Sequence, residues 1–350
     1  MTRQGAVPVS RESTVALAPK QQAMSKSQKF ILGVDIGGTK VEAGLVGSSG
    51  AVLLSARSPM IARGNADEGL TAVCSAIDGV LRDPRAKTVG TIGVSVPGWV
   101  DSRRGTVVSA TNLPCWWNYP LAQKIEERYG FPVRLANDAN AAALAESMWG
   151  AGAGCENMFY VSLGTGIGAG MVLRGELFAG TTGAAGEGGH MTIDLYGPKC
   201  GCGKRGCIEM YSSGTAVARH ARAEIATSRS RGKKILRLAG GAIEGVTAET
   251  VSNAALAGDS FANEILETAA DHLAIWFGGI VDLLEPERIV VGGGFAKVMM
   301  RYAPRIRKTL RVWAINPNRK RARIVKAHFQ AQSALVGAAA LWLPRTDTRK

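Results

Sequence analysis

FILGVDIGGTKVEAGLV, residues 30–46, is an apolar β-rich run, a glycine-dense tight turn, and a second β-rich run that begins at the last turn residue. FYVSLGTGIGAGMVLRG, residues 159–175, repeats that pattern. Each reads as a strand, a turn and a returning strand. One such hairpin near the start of each half of a 350-residue chain predicts two related α/β domains facing one another.

The glycines exclude two familiar phosphate loops. No G-x-x-x-x-G-K-[ST] is present, so there is no P-loop. Gly164, Gly166 and Ala169 meet the loosest dinucleotide fingerprint, but MVLRGELFAG after them alternates around Gly175 like another hairpin, where that fingerprint requires a helix. The chemistry of such turns remains: backbone N–H groups without side chains converge on phosphate, and the Thr39 and Thr165 hydroxyls add to them. Two facing turns can hold one polyphosphate between domains. A third cluster, RIVVGGGFAKVMMRY (288–302), is a strand ending in Gly292, Gly293 and Gly294 before a helical pattern, and serves ligand contact or tight strand–helix packing equally well.

Between the hairpins, the sequence reads as a strand to Val96, a Pro-Gly turn, a loop through Asn112 to Trp117, a helix from about Pro120 to Tyr129, a strand VRLA, and a helix from Ala139. Asn137 and Asp138 thus sit where a strand hands over to a helix. Asp138 there reads as an N-cap, worth about 1 kcal/mol, or as a carboxylate placed to take a proton from a hydroxyl; spacing alone favours the cap.

Composition narrows the class. No stretch approaches the roughly 18 uninterrupted apolar residues of a membrane span, and the first 29 residues, polar and basic, lack the apolar core of a secretory signal. They read as a disordered tail, with Met24 as an alternative natural start. The net charge of +14 raises nucleic acid as a partner. The excess sits in that tail, in RHARAEIATSRSRGKK (219–234), and from Arg301 to Lys326, a span without any acidic residue. A solvated basic face or attraction to anionic substrates accounts for it, so no specific nucleic-acid partner is expected.

Of six cysteines, Cys200, Cys202 and Cys207 cluster while Cys74, Cys115 and Cys155 stand singly, a pattern favouring metal ligation in a reducing, cytoplasmic compartment over disulfides. In EGGHMTIDLYGPKCGCGKRGCIE (187–209), His190 completes a Cys₃His set, the composition of a closed structural zinc site. The C-x-C spacing is tighter than the common C-x-x-C, so the pattern alone favours zinc only moderately.

DIGGTK (35–40), VPGWVD (96–101), NLPCWW (112–117), ANDANAAALAE (136–146), SLGTGIGAG (162–170), GEGGH (186–190), CGCGKRGCIE (200–209) and VVGGG (290–294), in this order, resemble the ROK family of sugar kinases and repressors, with the strongest likeness to its bacterial glucokinases. The resemblance implies an actin-like (ribonuclease H-like) two-domain ATPase fold with a cleft between domains. It divides the chain into a tail at 1–29, a small domain at 30–138 joined by the C-terminal helix at about 331–344, a larger domain at 139–330, and a tail at 345–350. It implies transfer of the γ-phosphoryl of ATP to the 6-hydroxyl of a hexose, glucose first.

By the same resemblance Asp138 is the catalytic base, a role compatible with capping. Asn112, Asn137, Asp138, Glu187, His190 and Glu209 bind the sugar. Gly37, Gly38, Thr39 and Lys40, with Gly164, Thr165 and Gly166, hold the phosphates, Gly292 to Gly294 lie on the adenosine side, and Asp35 lies near Mg²⁺ through water. His190, Cys200, Cys202 and Cys207 hold one structural Zn²⁺, which ties the segment so that Glu187 and Glu209 face one sugar and His190 bridges metal and substrate. The family's habit implies a homodimer or homotetramer.

Three departures from the family pattern are Trp99, read either as stacking on a pyranose face or as packing, with packing slightly favoured, Gly188 in place of a bulkier apolar residue, and MYSSG after CIE. The alternatives are kinases for N-acetylmannosamine, N-acetylglucosamine or fructose, a polyphosphate-dependent glucokinase, and a sugar-sensing repressor. The repressor needs a helix-turn-helix for which the tail before Phe30 offers too few residues.

Overall fold

The computed structural model describes residues 30–343. The tails read at 1–29 and 345–350, the start at Met24 and the last residue of the helix expected at 331–344 lie outside them. Among the described residues no helix is long and apolar enough to cross a membrane.

The first half begins with β1 (Phe30–Ile36), β2 (Lys40–Gly47), β3 (Val52–Pro59) and α1 (Ala66–Leu81), then β4 (Ile92–Val96). A small insertion follows: β5 (Trp99–Asp101), β6 (Thr106–Ser109) and β7 (Trp117–Tyr119). The half ends with α2 (Leu121–Tyr129), β8 (Val133–Asn137) and α3 (Asp138–Trp149). The second half begins with β9 (Met158–Leu163), β10 (Ile167–Leu173) and β11 (Glu176–Leu177). Five helices follow: α4 (Glu209–Ser212), α5 (Gly214–Thr227), α6 (Lys233–Leu238), α7 (Ala248–Leu256) and α8 (Ser260–Leu284). The chain closes with β12 (Arg288–Gly292), α9 (Ala296–Met299), α10 (Ala303–Trp313), β13 (Arg323–Lys326) and α11 (Ser333–Ala340).

The two five-stranded sheets have the same plan. The first runs β3-β2-β1-β4-β8 and the second β11-β10-β9-β12-β13. In each, an antiparallel hairpin (β1–β2, β9–β10) continues into two parallel strands. Both hairpins read from the sequence are present, as is the one around Gly175, where Leu173 pairs Glu176.

Two Ala-rich helices fill the seam between the sheets. α11, SALVGAAA, is apolar all round and buried, lying on β1 and β4; α3 lies on β9 and β10, and the two helices pack on each other. The approach is close enough to require glycine: a Cβ on Gly337 would lie 1.7 Å from the Ala141 carbonyl oxygen, and one on Gly93 of β4 1.8 Å from that of Ala338. The Glu146 carboxylate, wholly buried on α3, accepts hydrogen bonds from the Ala151, His328 and Phe329 N–H groups and the Ser333 hydroxyl, so the chain arriving from β13 is fixed before α11 starts. Such full pairing is what makes a buried carboxylate tolerable. On the outer face of the second sheet, Phe159, Val161 and Ile289 pack with Leu273, Trp276 and Phe277 of α8.

Three local expectations are corrected. The segment read as a loop from the Pro-Gly turn to Trp117 forms the three-stranded sheet β5–β6–β7, whose strands are too short and irregular to show a period of two. The N-cap of α3 is Asn137, whose side chain accepts from the N–H groups of Ala139 and Asn140; Asp138 is the first helical residue. The C-terminal helix is shorter than 331–344, with a 3₁₀ turn at Gln330–Gln332 before it.

Candidate active site

The carboxyl ends of β1, β4 and β8 meet where the first hairpin turns. Asp35, near the end of β1, accepts a hydrogen bond of 2.6 Å from the Ser95 hydroxyl on β4. Burial pushes its carboxyl above the usual aspartate range, against the lowering by Ser95 and Lys40. Asp138 stands across from it at the start of α3, one oxygen accepting from the Ala139 N–H at 2.8 Å. Its pKa is pushed up to about 6, first by burial and then by the negative charges of Asp35 and Glu187. Three carboxylates from three separate stretches thus share one field, the arrangement that readies one of them as a base near neutral pH.

Asn137 is committed largely to structure. Its oxygen caps α3, and one N–H of its amide goes to the Gly98 carbonyl at 3.0 Å, leaving the other N–H for a ligand. Two residues missed by the sequence reading support this corner. Ser95 is the sole hydroxyl in the buried strand IGVSV, a visible signal. Asn140, 3 % exposed, donates to the Ala185 carbonyl and so positions the loop before Glu187. It stood out only as a polar residue in an alanine run.

Each glycine turn is pressed against one expected sugar residue. In the first, Gly37 N–H bonds the Lys40 carbonyl, and a Cβ on Gly38 would lie 3.1 Å from the Asn112 carbonyl oxygen. Thr39 is exposed, and the Lys40 ammonium leans to Glu42 at 3.4 Å. In the second, Gly164 N–H bonds the Gly166 carbonyl, and Glu209 accepts from the Ile167 N–H at 2.8 Å. A Cβ on Gly166 would lie 2.5 Å from that carboxylate. The exposed Thr165 lies between them. The third cluster abuts the second turn: Phe295 N–H bonds the Leu163 carbonyl, and Gly292 and Gly293 lack room for a Cβ beside Tyr160 and Leu163. For these two the packing alternative holds. Gly164 and Gly294 instead face open space, where a ligand can approach.

His190, Cys200, Cys202 and Cys207 are brought together, their ligand atoms all within 4.8 Å of one another. His190 Nδ1 is 3.5 Å from Cys200 Sγ, and Cys202 Sγ is 3.6 Å from Cys207 Sγ. A tetrahedral zinc, with Zn–S about 2.3 Å and Zn–N about 2.0 Å, puts neighbouring ligand atoms about 3.5–3.8 Å apart, so the donor set and these two separations are compatible with one. Burial and the neighbouring thiols push Cys207 up to about 12, so metal binding must displace a proton there. His190 Nε2 points the other way, 3.9 Å from Glu187. One ring therefore faces the cysteines and the glutamate together.

The departures also have places. Trp99 is 54 % exposed, which corrects the packing role expected of it; through Ser109 it shares a face with Trp117, 75 % exposed. At Gly188 the space of a larger residue is taken by Ala169 and Trp276. In MYSSG, Ser212 donates to the Ala269 carbonyl and Ser213 caps α5.

Two five-stranded sheets of one plan, each opening on a strand, a glycine turn and a returning strand, define an actin-like ATPase fold. The chain belongs to the ROK family, whose pattern it matches over residues 31–345. It is 34% identical over 311 residues to the glucokinase of Streptomyces coelicolor, covering 89% of this chain and 96% of that one. It is 32% identical to the N-acetylmannosamine kinase of Yersinia pseudotuberculosis, covering 89% and 97%. The ROK family glucokinase of Streptomyces griseus, solved with glucose and AMPPNP, superposes with a TM-score of 0.78 at 34% identity, covering 89% of this chain and 98% of that chain.

Proposed function

We propose that this protein is an ATP-dependent sugar kinase that phosphorylates glucose at its 6-hydroxyl. Kinship with glucokinases over nearly the whole described chain supports the activity. The observation that carries the residue assignment is Asp138: a carboxylate raised to about 6, at a helix start between Asp35 and Glu187.

In this reading Asp138 accepts the proton of the sugar 6-hydroxyl as that oxygen attacks the γ-phosphorus of ATP, and ADP leaves in line. Asn112, the free N–H of Asn137, Glu187, His190 Nε2 and Glu209 hold the other hydroxyls, a mixture suited to groups that both donate and accept. The turns Gly37–Lys40 and Gly164–Gly166 offer N–H groups to the phosphates, and the open side of Gly294 lies toward the adenosine. Asp35, a half-buried carboxylate facing another, fits a place beside Mg²⁺, which when bound neutralises charge on the donor phosphates. His190, Cys200, Cys202 and Cys207 would hold a structural Zn²⁺ that supplies rigidity and no chemistry.

The two lobes, 30–138 with the C-terminal helix and 139–330, close over the sugar to exclude water, since open access would let ATP hydrolyse. We further infer a cytoplasmic homo-oligomer, from the reduced cysteines and the family's habit. A coupled assay over glucose, N-acetylmannosamine, N-acetylglucosamine and fructose, with ATP and with polyphosphate, tests the substrate pair. The highest kcat/KM is expected for glucose with ATP; a faster N-acetylated sugar or a preference for polyphosphate would overturn it.

A further inference from the structure

The basic span from Arg301 to Lys326 plays no part in the cleft. The end of α10, the loop after it and the start of β13 enclose a cavity of about 320 Å³, lined by Arg307, Arg311, Arg319, Lys320 and Arg323. Arg307 and Arg311 are one helical turn apart and so share a face of α10. The floor is apolar, with Leu310 and Ile324 at 3% and 4% exposure. No acidic residue lines it.

The acids on the neighbouring elements are engaged elsewhere. Glu287, whose carbonyl accepts from the Arg323 N–H, turns its carboxylate to the N–H groups of Glu156 and Asn157; Asp282 accepts from the N–H groups of Ile315 and Asn316, Glu285 from the Asn318 amide, and Asp271 and Glu267 bind Arg305. Among the described residues the side chains of Arg307, Arg311, Lys320 and Arg323 make no ion pair. The Arg319 guanidinium is held in place, donating from Nε to the Arg311 carbonyl and from Nη1 to that of Asn316. Arg311, in the last turn of α10, complements the helix dipole. That accounts for one cation and not for five around one concavity, whose mutual repulsion an anion would relieve.

We propose that this cavity is a second anion site, built for a short phosphate chain and separate from the catalytic cleft. Guanidinium forks suit the oxygens of such a chain, and a cavity at the small end of the ligand-site range admits a di- or triphosphate and excludes a duplex. Its position follows from sheet register: β12 and β13 are parallel and Arg323 pairs with Arg288, so the cavity lies at the end of the strands opposite Gly292 and the nucleotide turns. Occupancy there leaves the cleft free.

Equilibrium dialysis of the full chain with labelled inorganic triphosphate tests this, comparing wild type with Arg311→Ala/Arg323→Ala. Both positions are exposed surface and outside the catalytic machinery, so kcat and KM at low anion concentration should stay within about twofold and report an intact fold. The variant is expected to bind about one equivalent per chain fewer, and the lost equivalent to weaken with salt. Arg311→Lys/Arg323→Lys, which keeps the charge, should retain part of it. Excess AMPPNP that removes this equivalent from the wild type identifies a nucleotide as the source of the chain; failure to remove it identifies an inorganic one. Equal binding by wild type and the Ala variant would overturn the proposal.

Discussion

The two halves share one sheet plan and differ in what stands behind the glycine turn. In the first half the Gly37–Lys40 turn is backed by the irregular loop of a three-stranded insertion, with the Asn112 backbone against Gly38. In the second, the Gly164–Gly166 turn is backed by a carboxylate, Glu209, that hydrogen-bonds the strand itself and leaves a segment closed by a Cys₃His cluster. A duplicated scaffold thus supplies two similar glycine turns, proposed to hold the phosphates, and unlike insertions couple each to a different side of the proposed sugar. The second coupling is the stiffer, since a charge-assisted hydrogen bond is more directional than a backbone contact.

Four substitutions probe that comparison. Gly337→Ala attacks the seam common to both halves. With a Cβ 1.7 Å from a carbonyl oxygen, it should lower stability by about 3 kcal/mol, measured by denaturant unfolding. An unchanged midpoint would mean the helices part without cost and the halves are not packed as described. Stripping the knot with Cys200→Ser should remove zinc, read by native mass spectrometry, and lower kcat/KM for sugar by about 10–100-fold through loss of Glu187 and Glu209 alignment. Zinc-free wild type with full activity would show that the knot aims nothing. Smallest is the contrast between turns: Gly166→Ala, which displaces Glu209 from Ile167, should raise KM for sugar about tenfold, and Gly38→Ala about threefold. Equal effects would erase the asymmetry.

What the sequence disclosed follows from the range of the interactions. The hairpins were readable because a short apolar β-rich run, a glycine turn and a returning run are local signals. The β5–β7 sheet was not, its strands being three and four residues long with a register shift after Trp99. At the strand-to-helix junction the sequence reading favoured Asp138 as the cap, because Asp is a common capping residue; the structure gives the cap to its neighbour Asn137 and leaves Asp138 to face Asp35. The Glu209–Ile167 bond joins residues 42 apart in sequence, and Glu146 reaches across 182 to His328, distances at which no spacing rule operates. The ligand cluster was legible because its three cysteines fall close together, whereas the direction of each His190 nitrogen required coordinates.

The most direct measurement is the pH profile of kcat/KM for glucose in wild type beside Asp138→Asn. With its pKa raised to about 6, Asp138 is ionised above that pH and protonated below it, so if it is the proposed base, wild-type activity should fall as pH drops through about 6. The variant should lose about 10²–10⁴-fold in turnover at every pH, retain glucose binding, and show no inflection there. An Asp138→Asn enzyme with near-normal turnover, or with the same inflection as wild type, would contradict the assignment of Asp138 as the base.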